Sequence, residues 1–511
     1  MPIAAAIAAE FDPDFYLAAN PDVLKAGVDP LHHFVKHGWE EGRDPNGSFS
    51  VHVYLHLYPD VKEAGVNPFW HYVVAGRREG RTLERRRSLD LQVVLTSRPI
   101  RDREAATEDD GHVVSDATGL VERLSRRPLI VSVSHDDYTR SVGGIQNCIN
   151  MEAQAAADAG IDYLHLYPRT NRSWLAPSGV RLVLGTTLNG DDTGSFETTD
   201  FLNAFAKAGP VGSRLVVHSL LGHNPAWISA LSRLCTGNAP VFWTHDHTAI
   251  CPSYTLQRND VVSCGGPALD SRQCGLCTYG EERKGGHVDQ ISTLLGQIDP
   301  IVVSPSEFSR QFFSARVARR FSTAVVEHCV LTNRHKATVK DGAVRVAFVG
   351  TPAYHKGWSR FVDLVHRFGG SEDYEFMVFG PEKTELSDRI AHRAVSVIRQ
   401  GRMAMVEALR RDDVDLVFLW PTWQETFCIV AYEAAAAGAR ILTNPGSGNV
   451  ARLVATGDCG TVFNDFAEVL AGFGDGTILD LAAQRRREAT FSDLQFSRMS
   501  LDVCQAKAAV A

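Results

Sequence analysis

The sequence has no long apolar run. Nowhere does it approach the ~18 consecutive hydrophobic residues that a membrane-spanning helix needs, although such residues make up 44% of its 511 positions. It has no basic excess either: a formal charge of −8 excludes the global positive field that gathers nucleic acid or anionic lipid, so no nucleic-acid partner is expected. No basic stretch precedes the Ala/Ile run of "MPIAAAIAAEFDPDFY", and Glu10 and Asp12 follow it at once, which argues against a secretory leader. Cysteine is scarce: ten residues are too few for a disulfide-built secreted scaffold, and four of them cluster, which points to a thiol or metal role in a reducing compartment. A cytoplasmic chain with two or three cored domains is expected.

What is present begins with a repeat. "FDPDFYLAANPDVLKAGVDPLHHFVKHGWEEGR" (11–43) aligns with "FSVHVYLHLYPDVKEAGVNPFWHYVVAGRREGR" (49–81) at a constant offset of 38, which matches Phe11 with Phe49, Pro21 with Pro59, Gly27 with Gly65, Pro30 with Pro68, His33 with His71 and Gly42 with Gly80. Each unit reads as helix, turn at "AGVDP" or "AGVNP", and an amphipathic helix with proline in its first turn. The histidines here (His32, His33, His37, His52, His56, His71) lie at helical spacing beside Trp39, Trp70 and Tyr72, and packing accounts for them better than metal ligation. This segment resembles the short repeats beside catalytic domains in some bacterial glycan-assembly glycosyltransferases. The resemblance implies an accessory or docking role and nothing catalytic; a protein, or the inner face of a membrane in peripheral contact, is the partner considered for these repeats.

Residues 84–128 are charged and weakly periodic and read as a linker after a 1–83 two-repeat helical module. From 129 the texture changes to alternating buried strands and helices: "PLIVSVSHD", "IDYLHLYP", "RLVVHSLLG", "APVFWTHDH", "PIVVSPSEF", then "VRVAFVG", "YEFMVFG", "VDLVFLWPT" and "ARILTNPG". That pattern predicts an α/β architecture of two doubly wound, Rossmann-like domains, 129–335 with a Cys-rich insertion at 251–277, and 336–490. A C-terminal helix is expected over 491–511.

In an open α/β sheet, ligands bind outside the carboxyl ends of the strands, so the loops after strands carry the candidate chemistry. After "VRVAFVG" comes "TPAYHKGW", where Lys356 precedes Gly357 and a helix, a placement suited to phosphate. After "VDLVFLWPT" comes "ETFCIVAYEAAAAGARILTNPGSGN" (425–449), with Glu425 in a loop and Glu433 eight residues on, within an apolar helix. Between them the amides around Phe427, Cys428 and Ile429 open the helix and suit an anion. A lone carboxylate in an apolar helix is costly without a partner, and a polyol would supply one. Gly446 and Gly448 read as a turn that brings backbone toward the ligand. In the first half, Gly143 and Gly144 precede a helix, His245 and Asp246 follow a strand, and Ser306 and Arg310 sit beyond another.

The order strand, Glu-x7-Glu, small-residue helix, strand is similar to the signature of the retaining GT-B glycosyltransferases, family 4 in particular, over roughly residues 129–490. The resemblance implies a nucleotide-sugar donor (UDP- or GDP-linked), transfer of a hexose with retention to a glycan or lipid-linked acceptor, and front-face attack rather than a covalent enzyme intermediate. It implies that Glu425 faces the donor sugar, Glu433 the ribose and Lys356 the diphosphate, and that amides of 427–429 assist. Gly143-Gly144 corresponds to a glycine turn of the acceptor domain, and His245 with Asp246 lines the reacting sugar; for these two, a structural histidine and a capping aspartate is the other reading. One departure stands out. Thr351 occupies the place where the family usually carries an arginine, so Lys356 lacks its cationic companion unless Arg310, His355 or another residue substitutes. No catalytic divalent metal is expected, since the acidic pair Asp191-Asp192 in "NGDDTG" reads as a turn. An epimerase or hydrolase on the same fold, and a non-catalytic glycan-binding scaffold, are the alternatives.

Cys251, Cys264, Cys274 and Cys277 are spaced C-x12-C-x9-C-x2-C in a Gly/Pro-containing loop. Two readings stand, a structural zinc site and unliganded or redox-active thiols. Similar insertions occur in some bacterial family 4 members. Cys148, Cys235, Cys329, Cys428, Cys459 and Cys504 are scattered and read as packing residues.

Overall fold

The computed structural model describes residues 3–47, 49–51, 54–55, 58–79, 81, 118–124, 127–141, 143–169, 175–176, 181–337, 341–381, 384 and 390–503. Most of the 84–128 linker, His52, His56 and residues 504–511 therefore lie outside the described residues. The chain divides into two compact units, Met1–Ser97 and Arg98–Ala511.

The first unit carries the repeat in its bonds as well as its letters. Pro30 and Pro68 open the Pro30–His33 and Pro68–His71 helices, capped by Asp29 and Asn67 side chains. Each helix runs on into a widened π-turn, Phe34–Gly38 or Tyr72–Gly76. Tyr16 Oη bonds His33 Nδ1 at 2.9 Å, and Tyr54 Oη bonds His71 Nδ1 at 3.0 Å. Arg43 pairs with Asp22, and Arg81 with Asp60, again 38 residues on. His33 and His71 are thus partners of buried tyrosines, within a core of Phe11, Tyr16, Phe34, Phe49, Tyr54 and Phe69. Glycine is required at the π-turns because the tyrosine hydroxyl fills the place of a side chain: a Cβ at Gly38 would lie 2.0 Å from Tyr16 Oη, and one at Gly76 2.3 Å from Tyr54 Oη.

The second unit holds two large sheets. The strands of the first are β1 Leu129–Val133, β2 Asp162–Pro168, β3 Val183–Leu188, β4 Asp191–Glu197, β5 Arg214–Val217 and β6 Val241–Trp243. After the short hairpin β7 Gln257–Arg258 and β8 Val262–Ser263, the sheet is completed by β9 Ile301–Ser304 and β10 Ser322–Val325. Its order is β10-β9-β6-β5-β1-β2-β3-β4, parallel except where β3 runs against β2 and β4. β1, β5, β6 and β9 are buried along their whole length, as parallel strands covered on both faces must be. The "NGDDTG" reading needs correction. The turn is Asn189-Gly190, both at positive φ, while Asp191 and Asp192 begin β4, because an Asn-Gly pair supplies the two left-handed residues of a tight hairpin.

The second sheet follows β11 Cys329–Lys336 and comprises β12 Val344–Val349, β13 Tyr374–Gly380, β14 Ala391–Ala394, β15 Leu416–Phe418, β16 Arg440–Thr443 and β17 Gly460–Val462, all parallel, in the order β14-β13-β12-β15-β16-β17. This is the 3-2-1-4-5-6 doubly wound order, whose crevice opens where the winding reverses, between β12 and β15. The expected helix over 491–511 is corrected at its start: Thr490–Phe496 is β18, antiparallel to β11. Its residues form a ladder with an exposed neighbouring strand, and Leu494 is buried opposite Leu331. Beyond it the chain returns to the first half, where Met499, Leu501 and Val503 join the core that holds Ile130, Tyr138 and Trp243.

Replacing Gly76 with alanine is expected to destabilise the first unit by about 1–3 kcal/mol through overpacking against Tyr54. Hydrogen exchange of the 58–79 amides in the full chain should accelerate while exchange in β1 and β12 stays unchanged; unaltered exchange at 58–79 would refute the packing role assigned to Gly76.

Candidate active site

The reversal point of the second sheet brings the two sequence-selected loops together. The loop after β12 makes one turn at Tyr354–Lys356, and the loop after β15 carries Trp420 to Cys428. Lys356 Nζ donates to Glu425 Oε1 at 2.6 Å, the Trp423 indole N–H donates to the same oxygen at 2.9 Å, and the ammonium lies 5.1 Å from the Trp423 ring centroid. Glu425 is 4% exposed. Burial opposes the Lys356 charge, but the Glu425 carboxylate outweighs it and holds the lysine above its usual pKa, so the pair is ionic. Gly357 makes the approach feasible. It sits at φ 83°, and a Cβ there would be 2.1 Å from the Trp420 carbonyl.

Gly448 has the same function on the other side. At φ 64° its backbone bridges to Glu425, and a Cβ would lie 2.5 Å from the Glu425 carbonyl. The glycine therefore lets backbone meet the Glu425 segment. Gly446 has no left-handed φ.

The chain then turns through Cys428, a non-glycine residue at φ 69°, ψ 80°, into the Ile429–Ala436 helix. Such backbone costs on the order of 1–3 kcal/mol and persists where its surroundings enforce it. Among the described residues, the amides of Phe427, Cys428 and Ile429 donate to no protein acceptor. Glu433 lies one helical step inside, 4% exposed, and its side chain makes no hydrogen bond or ion pair among the described residues. Burial pushes its pKa up to about 7.

The first half contributes a stack. His218, Trp243 and His245 lie nearly parallel, with Trp243 and His245 centroids 4.8 Å apart. His245 Nε2 meets His218 Nδ1 at 3.0 Å, and His218 Nε2 meets Glu152 Oε2 at 2.9 Å. Glu152 is fully buried; it also accepts from Tyr163 Oη and from the Ser500 amide, on the returning C-terminal segment. Burial, helped by His328 and His218, holds the His245 pKa well below its ordinary value, so this imidazole is neutral. Asp246 is engaged locally: its carboxylate accepts from the Thr248 amide at 2.9 Å and from Ser219 Oγ. Cys148, read as a packing residue, is buried and lies with His245 and His328 so that a thiol and two ring nitrogens fall within 4.8 Å of one another.

The two halves are stitched at this point. Thr426 Oγ1 donates to the His245 carbonyl at 2.7 Å, Ser306 Oγ donates to the Thr426 carbonyl at 2.6 Å, and His247 Nε2 bonds the Gln424 carbonyl at 3.0 Å. Sequence reading missed Glu152, His218, His247 and His328. Glu152 had a signal of the kind used for Glu433, a carboxylate on a largely apolar helix face, and His218 and His247 stand just beyond strands; His328 had none.

Other expected residues play smaller parts. Gly143 caps the Gly144–Asp158 helix in extended backbone, and Gly144 has open space at its Cβ position, so no left-handed glycine turn forms there. Thr351 is exposed. Neither suggested substitute for the missing arginine is a free cation: Arg310 is paired with Glu307 at 2.8 Å, and burial beside Lys356 lowers the His355 pKa to about 3. The four clustered cysteines all line one cavity beside the loop after β6.

Comparison with known proteins agrees with this geometry in the second sheet. Residues 331–472 match the family Glycosyl transferases group 1. The match spans the second sheet, from β12 to β17, together with the loops that carry Lys356, Glu425 and Glu433. No curated protein matches the sequence. Among solved structures, it is similar to sucrose-phosphate synthase from Thermosynechococcus elongatus, at 14% identity and TM-score 0.44 over 71% of this chain and 94% of that one. It is also similar to HepE from Anabaena in complex with UDP and glucose, at 11% identity and TM-score 0.43 over 75% and 99%.

The Glu433 environment has a signed consequence. The folded state keeps this proton up to about pH 7, whereas an unfolded glutamate releases it near its ordinary value. Stability from this group is therefore greatest in acid and declines as pH rises from about 4.5 to 7. Urea unfolding of Glu433→Gln and the parent should diverge by about 2–3 kcal/mol between pH 5 and pH 8, the variant gaining in relative stability. Parallel pH profiles would show that the carboxyl is not held neutral.

Proposed function

We propose that the chain transfers a hexose, with retention, from a UDP- or GDP-sugar to a glycan or lipid-linked glycan acceptor in polysaccharide or glycoconjugate synthesis. The observation that carries this reading is the Lys356–Glu425 pair at the reversal point of a 3-2-1-4-5-6 sheet, next to a strained helix start with undonated amides. A cation and open amides suit a diphosphate; a buried carboxyl at Glu433, without a hydrogen-bond partner among the described residues, suits the hydroxyls of a ribose; and Glu425, fixed by Lys356 and Trp423, suits hydroxyls of the donor sugar.

The chemistry follows from placement and charge. As the bond between the anomeric carbon and the diphosphate oxygen breaks, negative charge moves onto that oxygen, where Lys356 and the amides of 427–429 stabilise it. The acceptor hydroxyl attacks from the same face and its proton passes to the departing oxygen, so no protein base is needed. His245, neutral and locked by His218, offers a hydrogen-bonding edge on the acceptor side rather than a charge, and Asp246 shapes the turn that presents it. The helical repeats serve as an accessory module for protein or membrane contact.

Calorimetric titration with UDP, GDP and their sugars tests the reading. Binding of one nucleotide is expected, weakened about tenfold or more, roughly 1.4 kcal/mol, in Glu433→Ala and Lys356→Ala. Glu425→Ala should chiefly lower turnover, with product analysis by mass spectrometry separating transfer from hydrolysis or epimerisation. Absence of any nucleotide binding at millimolar concentration would sink the enzymatic reading.

A further inference from the structure

Cys251, Cys264 and the Cys274/Cys277 turn come from three separate points of the segment after β6, yet all four cysteines line one small cavity. Donors reach three of the four sulfurs, while Cys264 Sγ itself donates to the Leu256 carbonyl at 3.1 Å. The amides of Ser253 and Gly266 bond the sulfurs of Cys251 and Cys264, in each case two residues on, and Gly265 and Gly266 both take left-handed backbone to do so. Arg283 Nη1 donates to Cys274 Sγ at 3.0 Å.

Arg283 is the decisive neighbour. It is 6% exposed, and its other donors reach only the Ile250 and Pro267 carbonyls. No carboxylate pairs with it among the described residues. Its remaining donor is spent on a cysteine sulfur, so the guanidinium fixes Cys274 at the wall of the cavity. Four sulfurs lining one cavity suit a tetrahedral, thiophilic divalent ion. Donors held against ligand sulfurs from outside are the second layer that such sites use to orient and tune their ligands.

We propose that Cys251, Cys264, Cys274 and Cys277 bind one structural zinc ion as thiolates, with Arg283 holding Cys274 from outside the ligand set. On binding, each S–H yields its proton to solvent as a Zn–S bond forms, and nothing is oxidised or reduced. The ion fastens a segment that otherwise has only short elements of its own. That segment touches the donor side: Gln257 Nε2 donates to Thr422 Oγ1 at 2.7 Å, and Tyr354 Oη donates to the Val261 carbonyl at 3.4 Å. Zinc therefore buttresses the loop that carries Trp423 and Glu425. The inference does not depend on the glycosyl-transfer reading, since metal content is read without substrate.

Metal analysis of the purified full chain is expected to give one zinc per chain, lost in Cys264→Ser and Cys277→Ser and retained in Cys148→Ser and His328→Ala. Arg283→Met should weaken zinc retention against a competing chelator about 10–100-fold. Should the cysteine variants fail to fold, cobalt(II) exchanged into the unaltered protein provides the second readout: intense thiolate charge-transfer bands with a tetrahedral visible spectrum support four sulfur ligands. A folded, metal-free protein overturns the proposal. So does zinc that survives Cys277→Ser but is lost with Cys148→Ser, or a cobalt spectrum with a single sulfur ligand.

Discussion

Much of the second unit depends on one short stretch of backbone, Trp423 to Cys428, being held from both sides. Thr426 is bonded to the His245 carbonyl and to Ser306, His247 holds the Gln424 carbonyl, and Gly448 packs its bare Cα against Glu425. A loop bonded at so many points cannot relax, which is how Cys428 is kept in left-handed backbone and the amides of 427–429 are kept without partners among the described residues. The strain is an outcome of the stitching, and the stitching couples the two halves at the position where a ligand would bridge them.

The first half solves a different problem, that of burying several imidazoles together. Charged histidines this close would repel and lose hydration, so burial drives His245, His247 and His328 to the neutral form. One anion, Glu152, is retained among them. Burial works against its carboxylate, but His218, Ser500 and their bonds outweigh that cost and keep its pKa below the ordinary value. Because one of those bonds comes from the returning C-terminal segment, the end of the chain helps set the orientation of His218 and, through it, of His245.

The parts of this arrangement visible in the sequence are those written in local periodicity. The 38-residue repeat, the buried parallel strands and the loops after them are encoded by spacing, and so Lys356, Glu425 and Glu433 could be found. Arg310, His355 and Glu152 show where spacing fails. Arg310 stands after a strand as a candidate cation does, but its charge is taken up by Glu307 three residues away, and Glu152 owes its role to His218, 66 residues on, and Ser500, 348 residues on. Thr490–Phe496 reads as helix on its own and becomes strand only because β11 offers it an edge. Long-range pairing overrides local preference there, as it commonly does for strands.

Lys356, the cation that the described loops bring to the reversal point, constrains how a diphosphate could be held. With Thr351 exposed, Arg310 paired and His355 neutral, Lys356 faces Glu425 directly. A dianionic ligand entering beside this pair would compete with Glu425 for the ammonium, and the carboxylate would keep its Trp423 bond while gaining hydroxyl donors from a sugar. Charge would then shift along a line, from the Glu425–Lys356 pair to a Lys356–phosphate pair, with the amides of 427–429 supplying what a second cation would otherwise give. Amides fixed by a strained turn need no reorganisation as leaving-group charge develops, so a strained Cys428 and a missing arginine are compatible features of one site.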